Sequence, residues 1–179
     1  MAKKLVIITS SLRKGSNSDN LAESFAKGAK DAGNEVETIS LKGKNIKYCI
    51  GCLACQKTGK CVLKDDAAEI VDKVKNADVL AFASPVYYYS ISGQLKTMLD
   101  RLNPLFPADY RFRDVYFPSA AHEDESKTAE GSVTAIQGWV DCFPKAQLAG
   151  TIFAGGVGAP GEIQGHKALQ KAYETGKSI

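Results

Sequence analysis

Between Lys3 and Asn20 the chain reads K-K-L-V-I-I-T-S-S-L-R-K-G-S-N-S-D-N: an aliphatic run, a loop crowded with hydroxyls, and the opening of a helix. Leu5 to Ile8 shows no polar alternation, so it suits a strand covered on both faces, as parallel strands in α/β domains are. The following helix starts with unpaired backbone N–H groups at the positive end of its dipole, so an anion belongs at this junction. Ser11, Ser16, Asn17 and Ser18 can each donate to a phosphate oxygen, and Arg13 can add a charge-assisted pair.

Two better-known phosphate loops also join a strand to a helix, and neither is present. The triphosphate cradle G-x-x-x-x-G-K-[ST] is missing, and so is G-x-G-x-x-G, whose glycines let backbone approach a pyrophosphate. One glycine among many side-chain donors suits a single terminal phosphate. The alternative reading is that Ser16, Asn17 and Ser18 only cap the helix, since these residue types lead at N-cap positions.

Downstream, Leu21, Phe25 and Ala29 recur four apart, with Ala22 and Ala26 beside them, on one face of that first helix. Glu35 to Ile39 alternates toward a second strand, and a cysteine-bearing segment, Cys49 to Cys61, follows a polar connection. Asp66 and Glu69 resemble a capping pair opening a helix whose Ala67, Ile70, Val71 and Val74 share a face. Asp78 to Ala83 is a third, continuously apolar strand that ends in the loop S-P-V-Y-Y-Y-S, Ser84 to Ser90. A helix with Leu95, Met98, Leu99 and Leu102 on one side follows, stopped by Asn103 before Pro104. Val115 to Ala120 is a fourth strand, His122 to Ser126 an acidic loop, and Thr128 to Phe143 a helix with Cys142 inside it. Thr151 to Ala154 is a fifth strand, and Gln164 to Thr175 a final helix after a glycine-rich loop.

A chain of 179 residues with 44% apolar content fits a single domain spanning residues 1–179 with a sizeable core. Its net charge of +3 is small and the lysines are dispersed, which gives no warrant for nucleic-acid or membrane binding. No apolar run approaches the roughly 18 residues of a membrane span, and Met1 to Lys4 leads straight into a strand, so a cytoplasmic location is expected. Five cysteines in that compartment stay mostly reduced, which favours metal or redox roles over disulfides.

Five strands alternating with five helices argue for a parallel sheet covered on both faces and joined by right-handed crossovers. The expected fold is a flavodoxin-like three-layer sandwich with strand order 2-1-3-4-5, whose ligand sits where the order reverses, between strands one and three. The loops bordering that point, Ser10 to Ser18 and Ser84 to Ser90, are the two most distinctive in the chain.

With these residues in hand, a family resemblance emerges. The S-L-R-K-G-S-N-S of Ser11 to Ser18, the S-P-V-Y-Y-Y of Ser84 to Tyr89 and the intervening C-I-G-C-L-A-C-Q-K-T-G-K-C resemble the flavodoxin-fold NADPH-dependent FMN reductase family. The cysteine segment is similar to that of its iron–sulfur flavoprotein members. The resemblance implies FMN, with Ser11, Arg13, Ser16, Asn17 and Ser18 around its phosphate. It implies that Pro85, Val86, Tyr87 and Tyr88 line the isoalloxazine and that Ala121 and His122 approach from the other side. It further implies NAD(P)H as co-substrate and assembly as a homodimer or homotetramer with the flavin near a subunit boundary. A flat apolar or aromatic wall with backbone groups at its edge is also what a tricyclic ring requires chemically. The three tyrosines equally suit a partly exposed subunit interface.

Cys49, Cys52, Cys55 and Cys61 are spaced C-x2-C-x2-C-x5-C, which brings four thiolates within reach of one centre. The first three repeat the ferredoxin-like run that ligates iron–sulfur clusters, and so compact a set disfavours zinc, whose C-x2-C pairs usually lie well apart. A [4Fe–4S] site and a loop of small free thiols near the flavin both fit the spacing, and Cys142 reads as structural. The expected function is an FMN-dependent NAD(P)H oxidoreductase acting on a quinone, a nitro or azo compound, or flavin. The alternatives are an iron–sulfur flavoprotein electron carrier and a non-enzymatic thiol or metal sensor. His122 is the one candidate for proton delivery, although an exposed histidine in an acidic loop is commonly just solvated.

Overall fold

The computed structural model describes residues 2–125 and 127–179. Its elements are β1 (Lys4–Thr9), α1 (Asn17–Asp31), β2 (Glu35–Ser40), α2 (Ala54–Thr58), α3 (Ala67–Lys75), β3 (Val79–Tyr87), β4 (Ser90–Ile91), α4 (Gly93–Arg101), β5 (Asp114–Ala120), α5 (Glu130–Val140), β6 (Gln147–Ala154) and α6 (Lys167–Lys177). The main strands run parallel in the order β2-β1-β3-β5-β6, and β4 pairs antiparallel with β3. That is the expected flavodoxin-like topology, with a short hairpin strand added. The order reverses between β1 and β3, so a crevice opens at their carboxyl ends.

Successive strand residues point to opposite faces, and the two cores follow from that alternation. Leu5, Ile7, Val79 and Ala81 face Leu21, Phe25 and Ala29 of α1 and Ala168 and Ala172 of α6. Val6, Ile8, Leu80 and Phe82 face Ile70 and Val74 of α3, Leu95 and Met98 of α4, and Ile136 and Val140 of α5. Complete burial of a side chain such as Phe25 or Phe82 is worth about 1.5–3 kcal/mol. Helices α1 and α6 touch backbone to backbone: a Cβ on Gly28 would lie 2.0 Å from the Tyr173 carbonyl oxygen, and one on Gly176 would lie 2.1 Å from that of Phe25. Only glycine permits that approach.

Several boundaries differ from the sequence expectations. Strand β3 does not stop at Ala83; it runs on to Tyr87 and turns through Tyr88 and Tyr89 into β4. Both turn residues have positive φ, 48° and 61°, the pattern of a two-residue hairpin that usually carries Asn-Gly. Strand β6 starts at Gln147, because its first half lies at the sheet edge with residues exposed and lacks a continuous apolar run. Helix α5 ends at Val140, so Cys142 lies beyond it and is exposed, not structural. The acidic loop reaches Ser126, which lies outside the described residues.

Candidate functional site

The crevice at the carboxyl ends of β1, β3 and β5 holds a cavity of about 180 Å³. Ser11, Arg13, Ser16, Asn17 and Ser18 line one end; Pro85, Val86 and Tyr87 form one wall; Ala120, Ala121, His122, Val157 and Gly158 form the other. The two segments singled out in the sequence therefore meet on one surface, with a third strand end and a glycine-rich loop. Tyr88 is the exception: it points into solvent, 101% exposed, because the tight turn directs its side chain away from the crevice.

At the hydroxyl-lined end, Ser16 caps α1 by accepting from the Asp19 N–H at 3.4 Å, and its hydroxyl lies 2.9 Å from that of Ser18. The N–H groups of Asn17 and Ser18 precede the first intrahelical bonds of α1, so they are free for an anion. Asn17 plays a different part from a simple donor. Its amide NH₂ donates to the carbonyls of Val157 at 3.2 Å and Ala159 at 2.8 Å, and its Oδ1 accepts from the Ile163 N–H at 3.3 Å. All its side-chain groups tie the glycine-rich loop to the start of α1, which leaves only its backbone N–H for a ligand.

The same loop is held from two further directions. Arg13 Nη1 donates to the Gly158 carbonyl at 2.8 Å, and Glu162 accepts from the N–H groups of Gly158 at 2.6 Å and Ala159 at 2.7 Å. Those two N–H groups hold the Glu162 carboxyl below the usual carboxylate range, with His122 and Arg13 adding attraction. A Cβ on Gly158 would meet His122 Nδ1 at 2.5 Å, so the glycine lets the Nδ1 edge of the imidazole come close to the loop.

Beneath the crevice lies a set of buried hydroxyls that the sequence did not single out. Ser92 Oγ donates to Ser10 Oγ at 2.9 Å, Ser10 Oγ donates to the Ala83 carbonyl at 3.0 Å, and the Ser92 N–H donates to Ser84 Oγ at 3.0 Å. They fasten the end of β1 to the β3–β4 hairpin, so the Ser11–Ser18 loop and the Pro85–Tyr87 wall share one support. The hairpin is further fixed by Tyr89, whose hydroxyl donates to Glu123 at 2.7 Å. That bond to a carboxylate pushes the phenol of Tyr89 above its ordinary range.

The cysteines lie elsewhere. Cys49, Cys52, Cys55 and Cys61 all line one small enclosed cavity of about 20 Å³, together with Leu53, Leu63 and Asn103. It shares no lining residue with the crevice. Among the described residues, no three His, Cys, Asp or Glu side chains converge closely enough to hold a metal ion. Facing one cavity, as all four cysteines do, is a looser condition than converging on a metal ion or cluster. The donor chemistry nonetheless suits one. The Gly51 N–H points to Cys49 Sγ at 3.5 Å, and Asn103 Nδ2 points to Cys55 Sγ at 3.2 Å, as donors do toward thiolate ligands.

The family follows from comparison with known proteins: NADPH-dependent FMN reductase matches residues 3–172. The chain belongs to that family. Membership places it among FMN-dependent oxidoreductases. It is similar to an iron–sulfur flavoprotein of Archaeoglobus fulgidus, 32% identical over 178 residues, which is 98% of this chain and 78% of that protein. An iron–sulfur flavoprotein of Methanocaldococcus jannaschii is 40% identical over 102 residues, covering 57% of this chain and 53% of its own length. The match thus spans only about half the length of that second relative. Among solved structures, NAD(P)H:quinone oxidoreductase from Methanothermobacter marburgensis superposes with a TM-score of 0.77 at 18% identity, over 99% of this chain and 96% of that one, which speaks for a shared fold.

Proposed function

We propose that this FMN reductase family member holds FMN in the crevice between β1, β3 and β5. In this reading it passes electrons from NADPH or NADH to a small acceptor such as a quinone, a nitro or azo compound, or free flavin. The supporting observation is convergence: residues from four separate segments of chain line one crevice at the reversal point of the sheet. Ser11, Ser16, Ser18, the N–H groups of Asn17 and Ser18, and the Arg13 guanidinium would hold the phosphate. Pro85, Val86 and Tyr87 would support one side of the ring, and Ala121 and His122 the other. Bound there, FMN would supply acceptance of a hydride as a two-electron unit and release of electrons singly or in pairs. The chain's own task is to bind, orient and shield. His122, exposed on the crevice wall, is the group placed to hand a proton to a reduced acceptor.

Heat release of bound flavin and its chromatographic identification test the cofactor, and oxidation of NADPH and NADH with a quinone acceptor tests turnover. FMN in one-to-one ratio and turnover with either nucleotide are expected. A purified protein that takes up no flavin, or turnover with neither nucleotide, would refute the proposal.

The shared thiol cavity and its N–H donors favour a second reading, in which Cys49, Cys52, Cys55 and Cys61 carry a [4Fe–4S] centre and the protein transfers single electrons. Anaerobic purification with iron and acid-labile sulfide assays separates the two: flavin alone supports the reductase, and flavin with iron and sulfide supports the carrier.

A further inference from the structure

The C-terminal end of α4 and the residues just after it carry polar groups that the flavin crevice does not use. Arg101 is 1% exposed, and Asn103, two residues on, lines the cysteine cavity. Four guanidinium bonds of Arg101 run to Asp65 Oδ1 and Oδ2 and to the carbonyls of Lys47 and Leu63. A guanidinium has five N–H donors, and the remaining one, on Nε, is buried without a partner. An unpartnered buried donor is costly, about 1–3 kcal/mol, and calls for an acceptor. Asn103 donates its Nδ2–H to Cys55, the buried cysteine of the four.

We infer that Asn103 is a positioning residue for the centre held by the four cysteines: its side-chain N–H fixes the Cys55 sulfur at 3.2 Å and stabilises the reduced state. The inference rests on the [4Fe–4S] reading of the cysteine loop and deepens it. The physical reason is charge. Adding an electron to a thiolate-ligated centre makes its sulfurs more negative, and an N–H aimed at sulfur favours that state more than the oxidised one.

The test uses the full chain, reconstituted anaerobically with ferrous iron and sulfide, in wild type, Asn103→Leu and Asn103→Gln. Iron and sulfide content are measured first, and then the one-electron reduction potential is followed by EPR in poised solutions. Asn103→Leu should keep its iron and shift the reduction equilibrium about tenfold toward the oxidised form, 59 mV more negative for one electron. Asn103→Gln, which retains an NH₂ donor, should recover most of that shift. If Asn103→Leu cannot be loaded, Asn103→Ser, which draws the donor back from the sulfur, is read in its place. A loaded leucine or serine variant with the wild-type potential overturns the role of Asn103 and leaves the cluster standing. Wild-type protein that takes up neither iron nor sulfide overturns the centre and this inference with it.

Discussion

Arg101 and Asp65 face each other in a bidentate pair, Nη1 to Oδ2 at 2.6 Å and Nη2 to Oδ1 at 2.9 Å, with both side chains fully buried. Asp65 also accepts from the backbone N–H groups of Lys47 at 2.9 Å and Ala67 at 3.1 Å, while Arg101 donates to the Lys47 carbonyl at 2.7 Å. Residues 47 and 65 bracket the cysteine segment, so this pair closes the loop at its base against α4. The four cysteines stay together because the loop carrying them is clamped at both ends.

Breaking that clamp from one side leaves a buried charge without its partner, which costs about 3–5 kcal/mol. Arg101→Met should therefore lower the urea midpoint by that amount in free energy. It should also make the segment around Lys57 and Lys60 the first site of limited tryptic cleavage. An unchanged midpoint would mean that the pair contributes nothing to holding the loop.

The clamp also sets a direction for pH. Burial alone pushes the Asp65 carboxyl up, but the Arg101 hydrogen bonds and the Lys47 and Ala67 N–H groups outweigh it and hold it below its ordinary 3.8. A depressed folded pKa gives stability that is present above the unfolded value and is lost as pH falls through the folded one. Wild type should lose stability steeply below about pH 4. An Asp65→Asn variant, weaker at neutral pH, should show a flatter acid limb in thermal melts between pH 2 and pH 5.

Asp19 shows the opposite sign. Burial, reinforced by Glu23 and opposed by Lys42, raises its carboxyl from 3.8 to about 6, and its Oδ1 has no hydrogen-bond partner. A raised folded pKa means that the contribution is full below 3.8 and is lost as pH rises through about 6. Asp19→Asn should thus melt at a higher temperature than wild type at pH 8, and the advantage should disappear near pH 3. Equal melting temperatures at pH 8 would show that the charged form is tolerated without penalty.

Local chemistry explains what could be read from the chain and what could not. The apolar runs of β1 and β3 and the hydroxyl-rich Ser11–Ser18 loop announced themselves because each depends on neighbours in sequence. The Tyr88–Tyr89 turn did not, since bulky residues are poor candidates for positive φ, and holding each there costs on the order of 1–3 kcal/mol. The partners of Asn17 lie at residues 157, 159 and 163, and Asp65 lies far from Arg101 along the chain, so only folding brings them together. Cysteine spacing gave four residues that line one cavity but not the placement: nothing local reveals that the loop sits by the C-terminal end of α4, where Asn103 reaches Cys55.

The Ser11–Ser18 end of the crevice, proposed to hold the FMN phosphate, offers the sharpest separation of roles among the residues read from the sequence. Arg13 is exposed and reaches the Gly158 carbonyl, so its loss should barely affect folding while removing the one guanidinium that lines the crevice. Charge-assisted bonds of this kind are worth roughly 1.5–3 kcal/mol, so Arg13→Ala should weaken FMN about 10- to 150-fold and leave riboflavin, which lacks the phosphate, nearly unchanged. Ser16→Ala removes an N-cap as well, so it should lower both FMN affinity and stability, the latter by about 1 kcal/mol. Quenching of flavin fluorescence by the apoprotein measures both ligands. Equal losses for FMN and riboflavin in Arg13→Ala would move the phosphate away from this helix terminus.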